Sequence, residues 1–476
     1  MSPNAVIPES SSAHHTLRSS GQHWVDRLVH PGLAGLLIAS TMNGLSADWA
    51  VFGREITVRP DQVVLVFLLP ILALAYGLGR FRLHLNRFEW VVLAFLFTNF
   101  ASSMLISPSQ SASLQGAALL GACVAMYFVT REIVSNRAEW LGGATNWVVC
   151  LGIAQALYCL TALILYYFGY VIGGLQIGHL SEASVAIEGT FWEANLLGAY
   201  LALIALFFTV RYVLAPEGKR GGTYLVGLFI TSLALPLTVT RSAALALALG
   251  MSATALIVCA YRREIHGWRR KAGRIVVVLG CVLLLTVTVM NALVSTISRY
   301  PNLLLERWIP ISLAPAIEVD VPTTGGAVTQ ASRGSMEGRL DAWWRAMEYW
   351  WERPIFGHGT LAGGNVIREG WWYSSLVQAL YDTGLLGFLV LLWIHVGAVF
   401  YPVRAWLRTR RNPMSANLLG FGLGNAVLFF TSQFSNLYFV GFPWVFLGLS
   451  MGAVAAYSKG HVANGDWTSR PAFHQG

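Results

Sequence analysis

Residues 194–214 read ANLLGAYLALIALFFTVRYVL, a stretch whose single charge, Arg211, stands near its end. About 20 consecutive apolar residues are what a helix needs to cross the hydrocarbon core of a bilayer. The same pattern extends in both directions. Apolar runs occupy approximately residues 31–47, 62–79, 88–106, 113–130, 146–169, 222–239, 242–261, 275–293, 374–401, 416–433 and 437–457. The whole chain is 55% hydrophobic and only 12% charged, with a mean hydropathy of +0.56. A soluble domain carries roughly 25% charged residues. The expected fold class is therefore all-α: a polytopic membrane bundle of about 12 transmembrane helices.

The organisation follows. Residues 1–30 read as a polar cytoplasmic tail, 31–458 as the transmembrane domain and 459–476 as a second tail. The first run has no clear cleavage site after it and reads as an uncleaved span. Cys123, Cys150, Cys159, Cys259 and Cys281 all lie inside apolar runs without CxxC spacing, so they read as small buried hydrophobes.

The net charge of +9 would suggest a nucleic-acid partner on a soluble protein. Here the basic residues sit in short loops, where they set orientation. With the N-terminus in the cytoplasm, the inner segments hold Arg18 and Arg27; Arg80, Arg82 and Arg87; Arg131 and Arg137; Arg211, Lys219 and Arg220; the run from Arg262 to Arg274; the run from Arg404 to Arg411; and Lys459 and Arg470. Together these are 22 of the 32 Lys and Arg. The outer loops 107–112, 170–193 and 434–436 hold none. Both termini are expected to be cytoplasmic.

One outer segment, 294–373, is long, and long loops are usually functional. Its arginines do not contradict the orientation, because long loops translocate largely regardless of charge. Within it, 336–353 reads as an amphipathic helix, with Leu340, Trp343, Trp344, Met347, Trp350 and Trp351 at helical spacing. Asp341 and Arg345 form an i,i+4 pair, Ser335 is a candidate N-cap and Pro354 ends the run. Such a tryptophan-rich helix is expected on the outer membrane face or docked on the bundle.

Three places carry chemistry. Arg241 stands between two apolar runs with almost no loop; burying it is costly unless it meets an anion or a wet cavity, and guanidinium binds phosphate bidentately. The other reading is an interfacial arginine that snorkels. Glu188 and Glu193 flank Phe191 and Trp192 at the mouth of a span. A carboxylate there can take a proton from a sugar hydroxyl, and the rings can stack on sugar, or the group is an ordinary interfacial belt. Asn195 can hydrogen-bond within the bundle. His358, between two glycines after Pro354, reads as an exposed imidazole, either a ligand or acid/base or a plain turn histidine. No metal-ligand cluster, P-loop or GxGxxG helix appears, so neither a metal nor a nucleotide cofactor is expected.

These motifs together resemble the O-antigen ligase/polymerase superfamily of bacterial envelope glycosyltransferases. The resemblance rests on Gly189-Thr-Phe191 with Asn195, on Arg241 heading a span, on the arginine–tryptophan stretch from Arg339 to Pro354-Ile-Phe-Gly-His-Gly359, and on the Leu-rich Asp382-Thr-Gly384 element from Leu376 onward. It covers roughly residues 60 to 455. It implies a metal-independent, inverting transfer on the periplasmic side from a glycan carried on undecaprenyl pyrophosphate, with Arg241 and Arg339 holding the pyrophosphate and Asn195 among the substrate-binding residues. Ligases of the family carry a His-Asn pair where this chain has Tyr373-Ser374, so Tyr373 stands at the proposed catalytic position and a polymerase fits better. The partners implied are undecaprenyl-pyrophosphate-linked oligosaccharides, the bilayer and a chain-length regulator, with no nucleic acid. A ligase acting on lipid A core, and a transporter or flippase of lipid-linked sugar, are the alternatives; against the last, no inverted repeat is visible.

Overall fold

The structure, a computed structural model, describes residues 27–51, 54–81, 85–170, 187–215, 221–265, 267–293, 336–362, 372–409 and 415–458. Helix α1 (27–40) is followed by an antiparallel hairpin of β1 (Ala47–Val51) and β2 (Arg54–Val58), with Ala47 opposite Val58. Then come α2 (Pro60–Gly77), α3 (Arg87–Leu105), α4 (Gln110–Asn136), α5 (Leu141–Tyr167), α6 (Ala194–Leu214), α7 (Gly221–Ala234), α8 (Arg241–Ala260) and α9 (Trp268–Leu285). The last four are α10 (Met336–Trp350), α11 (Ser375–Thr409), α12 (Ala416–Thr431) and α13 (Gly441–Ser458).

Ten helices among the described residues are long and apolar enough to cross a membrane, and α12 is a shorter apolar helix. The chain is a multi-pass helical membrane protein, as its hydropathy indicates. The hairpin is the departure: the first apolar run was read as helix to residue 47, but the helix stops at 40 and the chain turns through Asn43-Gly44. Gly44 N donates to the Thr190 carbonyl at 2.8 Å, and a Cβ on Gly44 would stand 2.8 Å from the Phe191 carbonyl oxygen. The chain ends its helix there because another backbone lies against it.

Helix α6 is the axis of the bundle, buried on nearly every side. A helix apolar all round must be surrounded by others. Helix α13 lies along α4, where Gly448 and Gly452 let the backbones approach: a Cβ at Gly448 would meet the Tyr127 carbonyl at 2.7 Å, and one at Gly452 the Val134 Cβ at 2.8 Å. Small residues four apart drive such packing in lipid, where there is no hydrophobic force between helices.

Three basic residues assigned above to cytoplasmic loops are interior. Arg131 is 2% exposed and pairs with Glu89 at 3.1 Å and with Glu132. Tyr127 OH donates to Glu89 and Tyr76 OH to Glu132, at 3.1 and 3.0 Å. Helix α4 runs past its apolar segment to Asn136 and carries this cluster inside the bundle, where charge is tolerated because Arg131 is paired with both carboxylates. Arg211 donates to Asn417 and Asn146, each at 3.1 Å. Lys271 Nζ donates to the Val213 and Ala215 carbonyls, at 2.9 and 2.6 Å, and so caps α6. Of the cysteines, Cys123 and Cys159 are buried as expected, whereas Cys150, Cys259 and Cys281 lie on the outer apolar surface.

Candidate active site

Helix α6 begins at one end of the bundle, and the segment that leads into it is fixed on three sides. Thr190 Oγ1 accepts from Gln155 Nε2 on α5 at 2.5 Å and donates to the Thr41 carbonyl at 2.6 Å. Ile187 N donates to the Leu237 carbonyl at 3.1 Å, in the turn that precedes α8. Phe191 is 1% exposed, its ring 5.5 Å from Phe442 and 5.6 Å from Tyr200. It was expected to stack on sugar; it is a core residue instead, because the Gly-Thr-Phe element is the plug that seats the mouth of α6. Trp192 is 45% exposed and keeps a ring at the surface.

Glu193 is the N-cap residue of α6, yet its carboxylate does not cap the helix. Asn195 Nδ2 donates to one of its oxygens, and Ser435 Oγ to the other at 3.4 Å. Burial raises the Glu193 pKa above the ordinary carboxylate range, opposed by Asn195, by the positive charge of Arg339 and by Ser435. Glu188 is pushed up to about 7 by burial and by the charge of Glu193. The two carboxylates thus share one environment.

Arg339 comes from α10, in the long segment between α9 and α11. That helix forms as the tryptophan spacing indicates, and it docks on the bundle. Trp343 Nε1 donates to the Trp372 carbonyl at 2.8 Å, its ring lies 6.5 Å from Phe434, and Ala342 and Ala346 pack on Trp372 and Tyr381. The Asp341–Arg345 pair forms at 2.7 Å on the exposed side. Docking turns Arg339 inward. Its Nε is buried without a hydrogen-bond partner. Burial lowers its pKa, while the charge of Glu193 holds it up; the Tyr373 side chain lies nearby. Tyr373 itself adopts a left-handed backbone, φ 53, just before α11. Ser335, the candidate cap, lies outside the described residues, as do 294–335.

Arg241 is the first residue of α8 and is exposed, with no ion pair to a described residue. Thr240, just before it, donates through Oγ1 to the Ala194 carbonyl at 3.2 Å. The starts of α6 and α8 therefore adjoin, and Arg241 stands at the same end as Glu193. Both helices direct their unpaired N–H groups toward this end, which favours an anion there.

His358 is corrected by the structure. It is 6% exposed, stacks on Tyr381 with 4.7 Å between ring centroids, and its Nε2 lies 2.8 Å from the Tyr349 carbonyl. A carbonyl only accepts, so that nitrogen carries a proton, and the imidazole closes α10 onto α11. The flanking glycines do not expose it; they allow backbones to touch. A Cβ at Gly357 would lie 2.5 Å from the Asp382 carbonyl carbon. At Gly384, with φ 65, it would lie 2.3 Å from the Ile355 carbonyl carbon. Helix α11 breaks at Gly384, and the freed Leu385 N donates to the Pro354 carbonyl at 2.8 Å. Gly384→Ala combines a strained φ with a backbone clash. It is expected to cost roughly 3 kcal/mol or more, read as a lowered thermal midpoint of the purified protein. Gly143→Ala, in α5 with open space around it, should leave that midpoint unchanged or slightly raised.

One polar network went unassigned in the sequence. Asp382, fully buried, accepts from Gln378 Nε2 and from Tyr438 OH, each at 2.9 Å. Gln378 Oε1 accepts from Asn436 Nδ2 at 3.2 Å, and Ser435 beside it reaches Glu193. The network ties the 432–440 turn, and through it Glu193, to α11. The signal was an acid inside an apolar run opposite a Ser/Asn-rich turn.

Residues 226–392 match the family model described as O-antigen ligase. That stretch is similar to the O-antigen ligase family. The match spans about a third of the chain. The matched residues take in Arg241, Arg339, Tyr373 and both Gly357 and Gly384, and leave Glu193 and Asn195 outside. No curated protein matches the chain.

Proposed function

We propose that the protein is an inverting, metal-independent glycan polymerase. It joins oligosaccharide repeat units of an O-antigen or exopolysaccharide carried on undecaprenyl pyrophosphate. The site faces the periplasm across the bacterial inner membrane, and both termini are cytoplasmic. The observation that carries the reading is the buried Arg339, its Nε without a hydrogen-bond partner, within reach of the charge of Glu193 at the mouth of α6.

The chemistry needs two things at once. The acceptor hydroxyl must lose a proton as its oxygen attacks the anomeric carbon. The pyrophosphate must take the electron pair of the breaking C–O bond. Glu193 supplies the base: its raised pKa brings it toward the operating pH, where a general base is most effective. Arg339 and Arg241 supply fixed cations for the leaving group, where developing charge is stabilised without reorganisation. In the resting protein the charges of Glu193 and Arg339 act on each other without a direct ion pair. A bound pyrophosphate takes up Arg339 and leaves the carboxylate to the acceptor. Tyr373, within the field of Arg339, orients the donor. Trp192 offers a sugar-stacking face. Support for a polymerase comes from Tyr373-Ser374 at the place of the ligase His-Asn pair; the description of the family model favours a ligase as the second reading.

The glycan profile of a strain lacking the protein separates the two. A polymerase reading expects loss of long chains, with single repeats still attached to their final acceptor. Loss of all attached repeats, with polymer accumulating on the lipid carrier, means a ligase. A profile in which neither changes removes both.

A further inference from the structure

The end of the bundle opposite the site carries a second concentration of charge. Arg262 and Arg263 follow α8, and Arg269, Arg270 and Arg274 lie on the first turns of α9; all five are exposed. The Tyr261 ring meets the Trp406 ring edge-on, with centroids 5.5 Å apart. That contact brings the end of α11, with exposed Arg404 and Arg408, beside them. From 261 to 293 the sequence has one acid, Glu264, and from 400 to 409 it has none. No described carboxylate forms an ion pair with any of the seven.

Their direction is fixed rather than left to chance. Lys271 is buried and bonded to two carbonyls at the end of α6, which anchors one face of α9. Arg269, Arg270 and Arg274 are thereby turned outward. Arg269 lies over the Trp268 ring at 5.5 Å, and Arg404 over Phe400 at 5.7 Å. Directly along the same outward side of α9, Val276 and Val277 are 68% and 64% exposed, as are Leu283 and Leu284 further on at 66% and 63%. This is an apolar wall surmounted by guanidiniums, with a tryptophan at the boundary.

We infer that Arg262, Arg263, Arg269, Arg270, Arg274, Arg404 and Arg408 form a binding platform for the phosphate headgroups of anionic phospholipids, with their acyl chains lying along α9. The continuity of the arginines with the apolar wall favours a lipid over a soluble anion or an acidic protein. Guanidinium pairs with phosphate through two parallel hydrogen bonds, and each basic residue near a charged membrane surface adds to the attraction. Helix α9 is the least packed of the long helices among the described residues, so its seating depends on what surrounds it. The platform does not rest on the glycan-transfer reading, and its test reads no transfer.

The purified full chain in zwitterionic phosphatidylcholine nanodiscs is titrated with phosphatidylglycerol or cardiolipin. Thermal midpoint and retained lipid, by native mass spectrometry, are followed. Anionic lipid is expected to raise the midpoint and remain bound, and both effects should fade with added salt. Arg269→Gln with Arg270→Gln should weaken retention on the order of fivefold per arginine, whereas Arg345→Gln, at the other end, should not. Equal stabilisation by phosphatidylcholine, by inorganic phosphate or by an acidic peptide would overturn the inference, as would a double variant that retains anionic lipid like the wild type. Should the double variant fail to accumulate, the salt dependence and lipid selectivity of the wild type decide alone.

Discussion

Glu193→Gln is expected to slow glycan transfer by roughly 10²–10⁴-fold, the usual contribution of a positioned general base. Glutamine keeps the shape of the side chain and can still meet Asn195 and Ser435, so the protein should accumulate and melt normally. The pH profile gives a sharper reading. The base works only when ionised, and burial raises its pKa. The rate should therefore be full at high pH and fall as the pH drops through a value above the ordinary carboxylate range. Glu188, pushed up to about 7 by burial and by the charge of Glu193, is also raised above the ordinary carboxylate range. Glu188→Gln distinguishes them: an acid limb that persists in this variant belongs to Glu193. Transfer by Glu193→Gln at close to the wild-type rate would remove the carboxylate from the mechanism.

Arg339→Ala and Arg241→Ala are each expected to slow transfer on the order of tenfold to a hundredfold, the loss of one charge-assisted hydrogen bond of about 1.5–3 kcal/mol. Lysine should restore little. At 339 the burial that depresses the guanidinium pKa would act on an ammonium whose pKa starts lower, and a point charge lacks the bidentate fork. At 241 the side chain is exposed, so Arg241→Lys should be the milder change. Arg345→Ala is the control. Its partner is Asp341 on the exposed side of the same helix, and such a pair is worth a few tenths of a kcal/mol. If Arg345→Ala is the most damaging of the three in a transfer assay with lipid-linked oligosaccharide, the pyrophosphate site has been misplaced.

The helices were legible because a bilayer imposes a length and a hydropathy that few other pressures mimic. Helix α10 was legible as a helix from its apolar spacing, but the face that docks is that of Ala342 and Ala346, while Trp344 and Trp351 are 71% and 68% exposed. What failed was the assignment of side chains at close quarters. His358 looked exposed because Gly-His-Gly reads as a turn, and nothing local reveals that those glycines admit the Asp382 and Ile355 backbones from elsewhere in the chain. Phe191 looked like a sugar-stacking or belt residue because aromatic character marks binding surfaces, membrane interfaces and cores alike. Arg131 was taken for a loop cation because its two carboxylate partners are Glu132, adjacent to it, and Glu89 on α3, and only the fold brings the latter near. Glu193 and Arg339 are far apart in sequence, and no spacing rule could have set them against each other.

The clasp between α10 and α11 bears on the order in which the protein is made. Helix α10 is held by Trp372 and Tyr381, and the turn that follows it by the nitrogen freed at Gly384, all of which leave the ribosome after it. Ser435, which fixes Glu193, emerges later still. A nascent chain that has reached residue 350 already carries Glu193, Arg241 and Arg339, and Thr240 ties the starts of α6 and α8, yet nothing holds Arg339 against them. The arrangement of Glu193, Arg241 and Arg339 is thus completed only once the final pair of helices has been added.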